Sequence, residues 1–321
     1  MSYKMNTNLL ITDSDLDGIG CAVLMNIFYP NNHTQFCTPR NVEEYFETVY
    51  KDQNIDNYNN IFITDLSLRN KYPTVCIGSY NTEVGYMKVR LFDHHKTAEF
   101  LNSYDWATVT VQYPDGRHAS GTSLFWDFLM TEHEDTINAL SDDTIFKIHR
   151  FVELVRLWDT FEWKTSPLAK DAVGLKYLLD IYRRKDLIYN MVANIMTEDS
   201  PLFSDEDRNM MKFMQMRKDK YIDYKMKQIQ MIKYDEYNVA FVFAEDFNSE
   251  LGNLICVENE DVDFAAIVSV DNGTVSLRSV KDNVDVSLIA KRFDGGGHFH
   301  AAGFPLKEEL IMNIRENIFT K

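Results

Sequence analysis

The chain has 321 residues, 45% of them hydrophobic and 26% charged, with a formal net charge of −16. Its length exceeds one ordinary domain and suits two of roughly 100 to 200 residues each, and the composition is globular, neither disordered nor fibrous. The acidic balance excludes a broad, sequence-independent grip on long nucleic acid, which rests on phosphates neutralised by Lys and Arg; the same carboxylates can hold metal ions.

The N-terminus MSYKMNTNLL lacks the basic start and longer apolar stretch of a signal peptide. No apolar run approaches the roughly 18 residues that span a bilayer, so a cytoplasmic protein with no membrane partner is expected. Residues 9–12 read as a strand that runs into an acidic turn and a helix over 19–28. The pattern repeats where a strand at 61–63 leads to Asp65, and where one at 89–92 leads to Asp93, His94 and His95. Ligand sites of open α/β sheets gather at the carboxyl ends of strands, so a parallel sheet would bring these three clusters to one edge.

Residues 120–130 and 143–158 carry apolar residues at helical spacing and are predicted to cover that sheet. Residues 205–233, rich in Met and Lys and free of Gly and Pro, predict one long connecting helix. Between Lys212 and Lys233 stand seven basic and two acidic residues, which a solvated face or a substrate-guiding stripe would each explain. Strands at 239–243, 264–270 and 274–278, with helices at 249–257 and 286–293, make a smaller domain that ends on GGGHFHAAGF, residues 295–304. The expected class is therefore α/β: a parallel-sheet domain over 1–185, a helical linker over 186–235 and a small α/β domain over 236–321. Cys21, Cys37, Cys76 and Cys256 show no C-x-x-C spacing and read as reduced packing residues, not as a disulfide framework or a thiolate zinc site.

The chemistry sits in the polar clusters. TDSDLDGIG puts Asp13, Asp15 and Asp17 at alternate positions, where three carboxylates repel one another and raise their own pKa values unless a cation neutralises them. A solvated turn that caps the next helix would also use such residues. Asp65 after FIT, His94 and His95 after LFD, and Asp159 in RLWDT extend the set and favour metal. Carboxylates and imidazoles without thiolates suit manganese or magnesium. A shared carboxylate can hold two ions ~3.5–4 Å apart, an arrangement suited to in-line attack of water at phosphorus.

In their order these motifs resemble the DHH phosphoesterases, whose name-giving triplet stands here as Asp93, His94 and His95. TDSDLDGIG, ITDLS and LWDT resemble the family's first, second and fourth motifs, and GGGH with AAG resembles its DHH-associated C-terminal domain, so the likeness covers nearly the whole chain. The resemblance implies two divalent ions, Mn or Mg, on Asp13, Asp15, Asp17, Asp65, His94 and Asp159, with Asp65 bridging and His95 on the scissile phosphate. It implies that Asp93 orients an imidazole, and that Arg278, Gly295, Gly296, Gly297 and His298 bind substrate. One departure is Asp13: many relatives carry a histidine there, and the extra negative charge favours a harder ion, as in the RecJ form.

The compact chain looks most like nanoRNases, which implies a phosphodiesterase that cuts short oligonucleotides or linear dinucleotides to mononucleotides and binds no extended duplex. A RecJ-like single-strand exonuclease, a cyclic-dinucleotide phosphodiesterase and a non-catalytic nucleotide sensor are the alternatives, and a homodimer is left open.

Overall fold

Strands whose residues are apolar on both faces need cover on both sides, and the first unit is arranged to give it. The computed structural model describes residues 7–51, 54–69, 71–307, 309 and 316. Contacts divide the chain into two units, Met1–Lys212 and Phe213–Lys321. In chain order the first holds β1 (Thr7–Thr12), α1 (Leu16–Phe28), β2 (Asn32–Phe36), α2 (Val42–Lys51), β3 (Tyr58–Thr64), α3 (Lys71–Val84), β4 (Val89–Asp93) and β5 (Ala107–Val109). The helices α4 (Gly121–Glu132), α5 (Glu134–Asn138), α6 (Asp142–Asp159), α7 (Ala169–Ile181) and α8 (Arg184–Met196) follow, and α9 (Asp205–Met226) runs across the division.

The five strands form one sheet, ordered β2-β1-β3-β4-β5, with every pair parallel. Successive strand residues face opposite ways. Leu10, Phe62 and Phe92 accordingly join a core built with α1, α4, α6, α7 and α8. Leu9, Ile11, Ile61, Ile63 and Leu91 join a second core under α2 and α3. This double cover is why residues 9–11, 61–63 and 91–92 are continuous apolar runs without alternation. Phe62 lies 5.2 Å from Phe125 and 5.6 Å from Phe128, ring centre to ring centre.

Register decides what leaves the sheet edge. Thr12 pairs with Thr64, and Thr64 with Phe92, so β1, β3 and β4 end level and their following residues emerge side by side. The buried hydroxyls of Thr64 and Thr12 are 2.9 Å apart and tie two of those ends together.

The second unit contains the end of α9, β6 (Gln230–Tyr234), β7 (Tyr237–Phe243), α10 (Asn248–Glu258), β8 (Phe264–Ser269), β9 (Thr274–Arg278), α11 (Val286–Lys291), β10 (Gly296–His298) and β11 (Ala301–Pro305). Its sheet runs β10-β11-β9-β8-β7-β6 and is antiparallel except for the β7–β8 pair. The α/β class with a parallel first sheet and a separate second sheet is as expected.

One element differs. The single helix expected over 205–233 stops at Met226, and Gln230–Tyr234 is a strand paired antiparallel with β7. The apolar residues Ile229, Met231 and Ile232 suit either structure, and the sheet supplies the ladder of hydrogen bonds that decides between them. Among the described residues no helix is long and apolar enough to cross a membrane.

Candidate metal centre

Helix α1 starts on Asp15, whose carboxylate accepts the N–H groups of Asp17 and Gly18, both at 3.1 Å. Asp17, in the first turn, is 1% exposed. Its two oxygens accept N–H groups from Gly121 at 2.5 Å and Thr122 at 2.9 Å, and the Thr122 hydroxyl donates to its backbone oxygen at 2.6 Å. An anion is thereby fixed on the positive N-terminal end of α4.

Asp65 follows β3 directly and takes a left-handed backbone, φ 55°, while its N–H donates to Phe92. Strain of that kind persists only where the surroundings enforce it. His94 and His95 follow β4, and Asp93 Oδ1 accepts both of their N–H groups together with the His95 ring N–H at Nδ1, 2.8 Å away. His94 Nε2 then lies 3.3 Å from Asp65 Oδ1, 3.5 Å from Asp159 Oδ2 and 3.8 Å from Asp17 Oδ2. Three carboxylates from three parts of the chain meet one imidazole nitrogen.

Asp159 ends α6, and the nearby Arg156 guanidinium, 2% exposed, anchors that end. Arg156 binds Glu153 through Nε and Nη2, and its Nη1 donates to Glu162 and to the His118 carbonyl. The segment that orients Asp17 and the helix that carries Asp159 therefore share one clamp.

Burial and mutual repulsion hold the carboxyls of Asp15 and Asp65 above their usual range, and push Asp159 up to about 8. Burial lowers the His94 pKa, against the pull of Asp17. The hydrogen bond to Asp93 raises that of His95. The donor set suits a divalent cation on two further counts: Asp65 Oδ2 and Asp93 Oδ2 are buried with no hydrogen-bond partner among the described residues, and the donors are oxygen and imidazole nitrogen only.

Two donor groups stand out, Asp65, Asp93, His94 and His95 in one, and Asp17, His94 and Asp159 in the other. Asp13 and Asp15 fall outside both: Asp13 Oδ1 accepts the Ser14 N–H at 2.5 Å, and Asp15 caps α1. Reading the sequence missed Gly121, Thr122 and the Arg156 clamp. The run ASGTS, small residues ahead of an apolar helix, was the available signal for the first two.

In the second unit the expected open glycine loop is partly a strand. Gly296–His298 forms edge strand β10 against β11. A Cβ on Gly295 would meet the Gly303 carbonyl at 2.2 Å, and one on Gly297, at φ 143°, would meet Ala302 Cα at 2.5 Å. Packing therefore requires those two glycines, whereas no atom lies within 4 Å of a Cβ on Gly296. His298 is opposite Ala301, and Ala301 is opposite Arg278, so the sheet register aligns the two substrate-binding candidates. The Arg278 guanidinium donates to the Ser249 hydroxyl at 2.7 Å.

Two outcomes follow from this geometry. In Gly121→Ala the new methyl would meet Asp65 Cβ at 2.7 Å and Asp17 Oδ2 at 3.0 Å. Divalent-ion affinity, measured by titration calorimetry, should drop by about 10- to 100-fold with the circular dichroism spectrum retained. The raised carboxyls fix the sign of a pH effect. Between their unfolded values near 4 and the folded value of about 8 for Asp159, these carboxyls bind more protons in the folded chain than in the unfolded one. Stability in chelator should therefore fall as pH rises through that window, and added Mg should raise the melting temperature more at pH 8 than at pH 5.

Residues 236–320 match the DHHA1 domain family. Over 308 residues the chain is 32% identical to oligoribonuclease NrnB of Bacillus subtilis (strain 168), covering 94% of this chain and 73% of that protein. In fold it resembles the pGpG-specific phosphodiesterase PggH of Vibrio cholerae, with a TM-score of 0.54 at 14% identity over 97% of each chain. It also resembles RecJ of Thermus thermophilus in complex with Mn2+, with a TM-score of 0.53 at 15% identity, over 98% of this chain and 51% of that one. With a near-full-length relative at this identity, a matched C-terminal domain and Asp93, His94 and His95 at the sheet edge, the chain belongs to the DHH phosphoesterases and is a nucleotide phosphodiesterase of that family.

Proposed function

We propose that the protein hydrolyses short oligonucleotides or linear dinucleotides to mononucleotides, in the cytoplasm, with two divalent ions, Mn or Mg. The observation that carries this reading is the meeting of Asp17, Asp65 and Asp159 around His94 Nε2 at the edge of the parallel sheet. Identity to an oligoribonuclease supports the substrate class.

Asp13, Asp15, Asp17, Asp65, His94 and Asp159 would hold the ions, with Asp65 shared between them. Bound there, the ions would supply Lewis-acid activation of water and neutralise charge on the phosphoryl oxygens. The protein's own groups do the rest. The lowered pKa of His94 leaves its ring neutral, the form that donates a lone pair. His95 is held by Asp93, whose hydrogen bond raises its pKa and so favours the protonated ring that would present Nε2–H to a phosphate oxygen, where developing negative charge is stabilised. Asp93 itself is spent on orientation. Arg278, Gly295, Gly296, Gly297 and His298 would receive the nucleotide: an edge strand carries unpaired backbone N–H groups, and Gly296 leaves room for close approach.

The charge pattern sets the preferred length. From Glu236 onward the chain has fifteen acidic and seven basic residues, a field that repels a long polyanion. Cleavage per molecule should be fastest at about two to five nucleotides and fall with length, most steeply at low salt where screening is least. Equal or rising efficiency on strands of about twenty nucleotides would move the protein toward the RecJ-type exonucleases. Asp65→Asn tests the shared carboxylate, because Asn tolerates the left-handed backbone while it removes the charge. Turnover and bound metal should both fall by about 10- to 100-fold or more, and wild-type values of both would refute the assignment.

A further inference from the structure

Just beyond Asp159 the chain adopts a conformation that its sequence makes costly. Helix α6 ends on Asp159, and Phe161, two residues on, takes φ 60° and ψ 9°. The left-handed residue after a helix is ordinarily glycine, because a Cβ there crowds the following carbonyl. A bulky aromatic in that region is an outlier. Core packing does not compensate for it, since Phe161 is 65% exposed.

Neighbouring polar groups hold the turn. Glu162 accepts from Arg156 Nη1 at 2.5 Å, from the His118 N–H at 3.0 Å and pairs with His118 Nδ1 at 2.9 Å. The same Arg156 grips the His118 carbonyl, close in sequence to the Gly121 and Thr122 N–H groups that orient Asp17. The exposed ring is thus displayed on a support shared with two carboxylates of the metal centre. Its Cα lies within about 7 Å of that of Asp159, from chain geometry alone. The Lys164 ammonium sits 5.6 Å from the ring centre and makes no ion pair among the described residues.

An exposed aromatic ring with a cation over one face, two residues from Asp159, matches the chemistry of a nucleotide: a base to stack on the other face and a phosphate to neutralise. We propose that Phe161 is the base-stacking platform of the substrate site and that Lys164 provides a neighbouring phosphate contact. This rests on the short-oligonucleotide reading above and adds a recognition device to it. Because every base has a π-face, such a platform grips the substrate without demanding a base sequence. An exposed Phe alone would signify little; its retention in a conformation that favours glycine, beside Asp159, is what calls for a role.

The test uses the full chain, Phe161→Gly, Phe161→Trp and Lys164→Ala, with a dinucleotide whose scissile phosphate is a phosphorothioate and a matched analogue lacking one base. Glycine removes the conformational cost, so Phe161→Gly should melt at or above the wild-type temperature in the presence of chelator and bind Mg with unchanged affinity. Its affinity for the dinucleotide by calorimetry should fall by about 5- to 100-fold, the worth of one base–aromatic stack. Phe161→Trp should retain affinity, and Lys164→Ala should weaken both ligands alike. The base-lacking analogue should bind wild type and Phe161→Gly equally. Wild-type dinucleotide affinity in Phe161→Gly would overturn the proposal while leaving the phosphodiesterase reading intact. So would a lowered melting temperature with equal losses for both ligands, which would mark Phe161 as structural. A wild-type protein that neither binds nor cleaves dinucleotides would take both readings down.

Discussion

Burying several carboxylates within a few ångströms of one another is the constraint on which the rest of this architecture turns. Asp17 and Asp65 are both nearly inaccessible, and Asp159 joins them around one imidazole nitrogen. Like charges so placed are unfavourable in a low-dielectric setting, and proteins accept such groups where a cation or a proton relieves them. The fold supplies the opposing partial charges it can, by aiming the α4 backbone N–H groups at Asp17. Among the described residues, Asp65 Oδ2 and Asp93 Oδ2 receive no such donor.

The scaffold that enforces this is ordinary and stiff. A parallel sheet buried on both faces keeps β1, β3 and β4 level, and each strand end delivers one part of the centre. At Asp65 the backbone itself is left-handed, so that strand end carries local strain. The Arg156 network does for the helical side of the site what strand register does for the other: it joins α6 to the segment ahead of α4, so that groups distant in sequence keep a common geometry.

Much of this was legible in the sequence, for identifiable reasons. Acidic and histidine clusters directly after apolar runs reveal strand ends, and a parallel sheet brings such ends together, so the class of the first domain and the placement of Asp65 and His94 at one sheet edge could be read from the sequence. Backbone donors were not legible. Gly121 and Thr122 hold the Asp17 carboxylate through backbone N–H groups that every residue but proline possesses, and only packing against Asp17 singles them out. The end of α9 was hidden for a related reason: Ile229, Met231 and Ile232 are apolar without a decisive period, and their structure is settled by a partner strand that local pattern does not report. GGGH was visible as unusual, but which glycines serve packing and which leave open space depends on β11 lying across them.

The adjacent histidines show how finely position divides labour. His94 and His95 are neighbours in sequence with ring centres 4.4 Å apart, yet their pKa values shift in opposite directions. Desolvation dominates for His94, whereas the direct hydrogen bond to Asp93 dominates for His95. The same carboxylate accepts both backbone N–H groups, so Asp93 fixes the two rings while bonding only one of them through its side chain. The ring whose pKa is lowered lies buried beside the carboxylates, and the one whose pKa is raised is the more exposed of the two. In a chain with a net charge of −16, a phosphoester meets a field that is repulsive overall, so local donors matter more than an extended basic track.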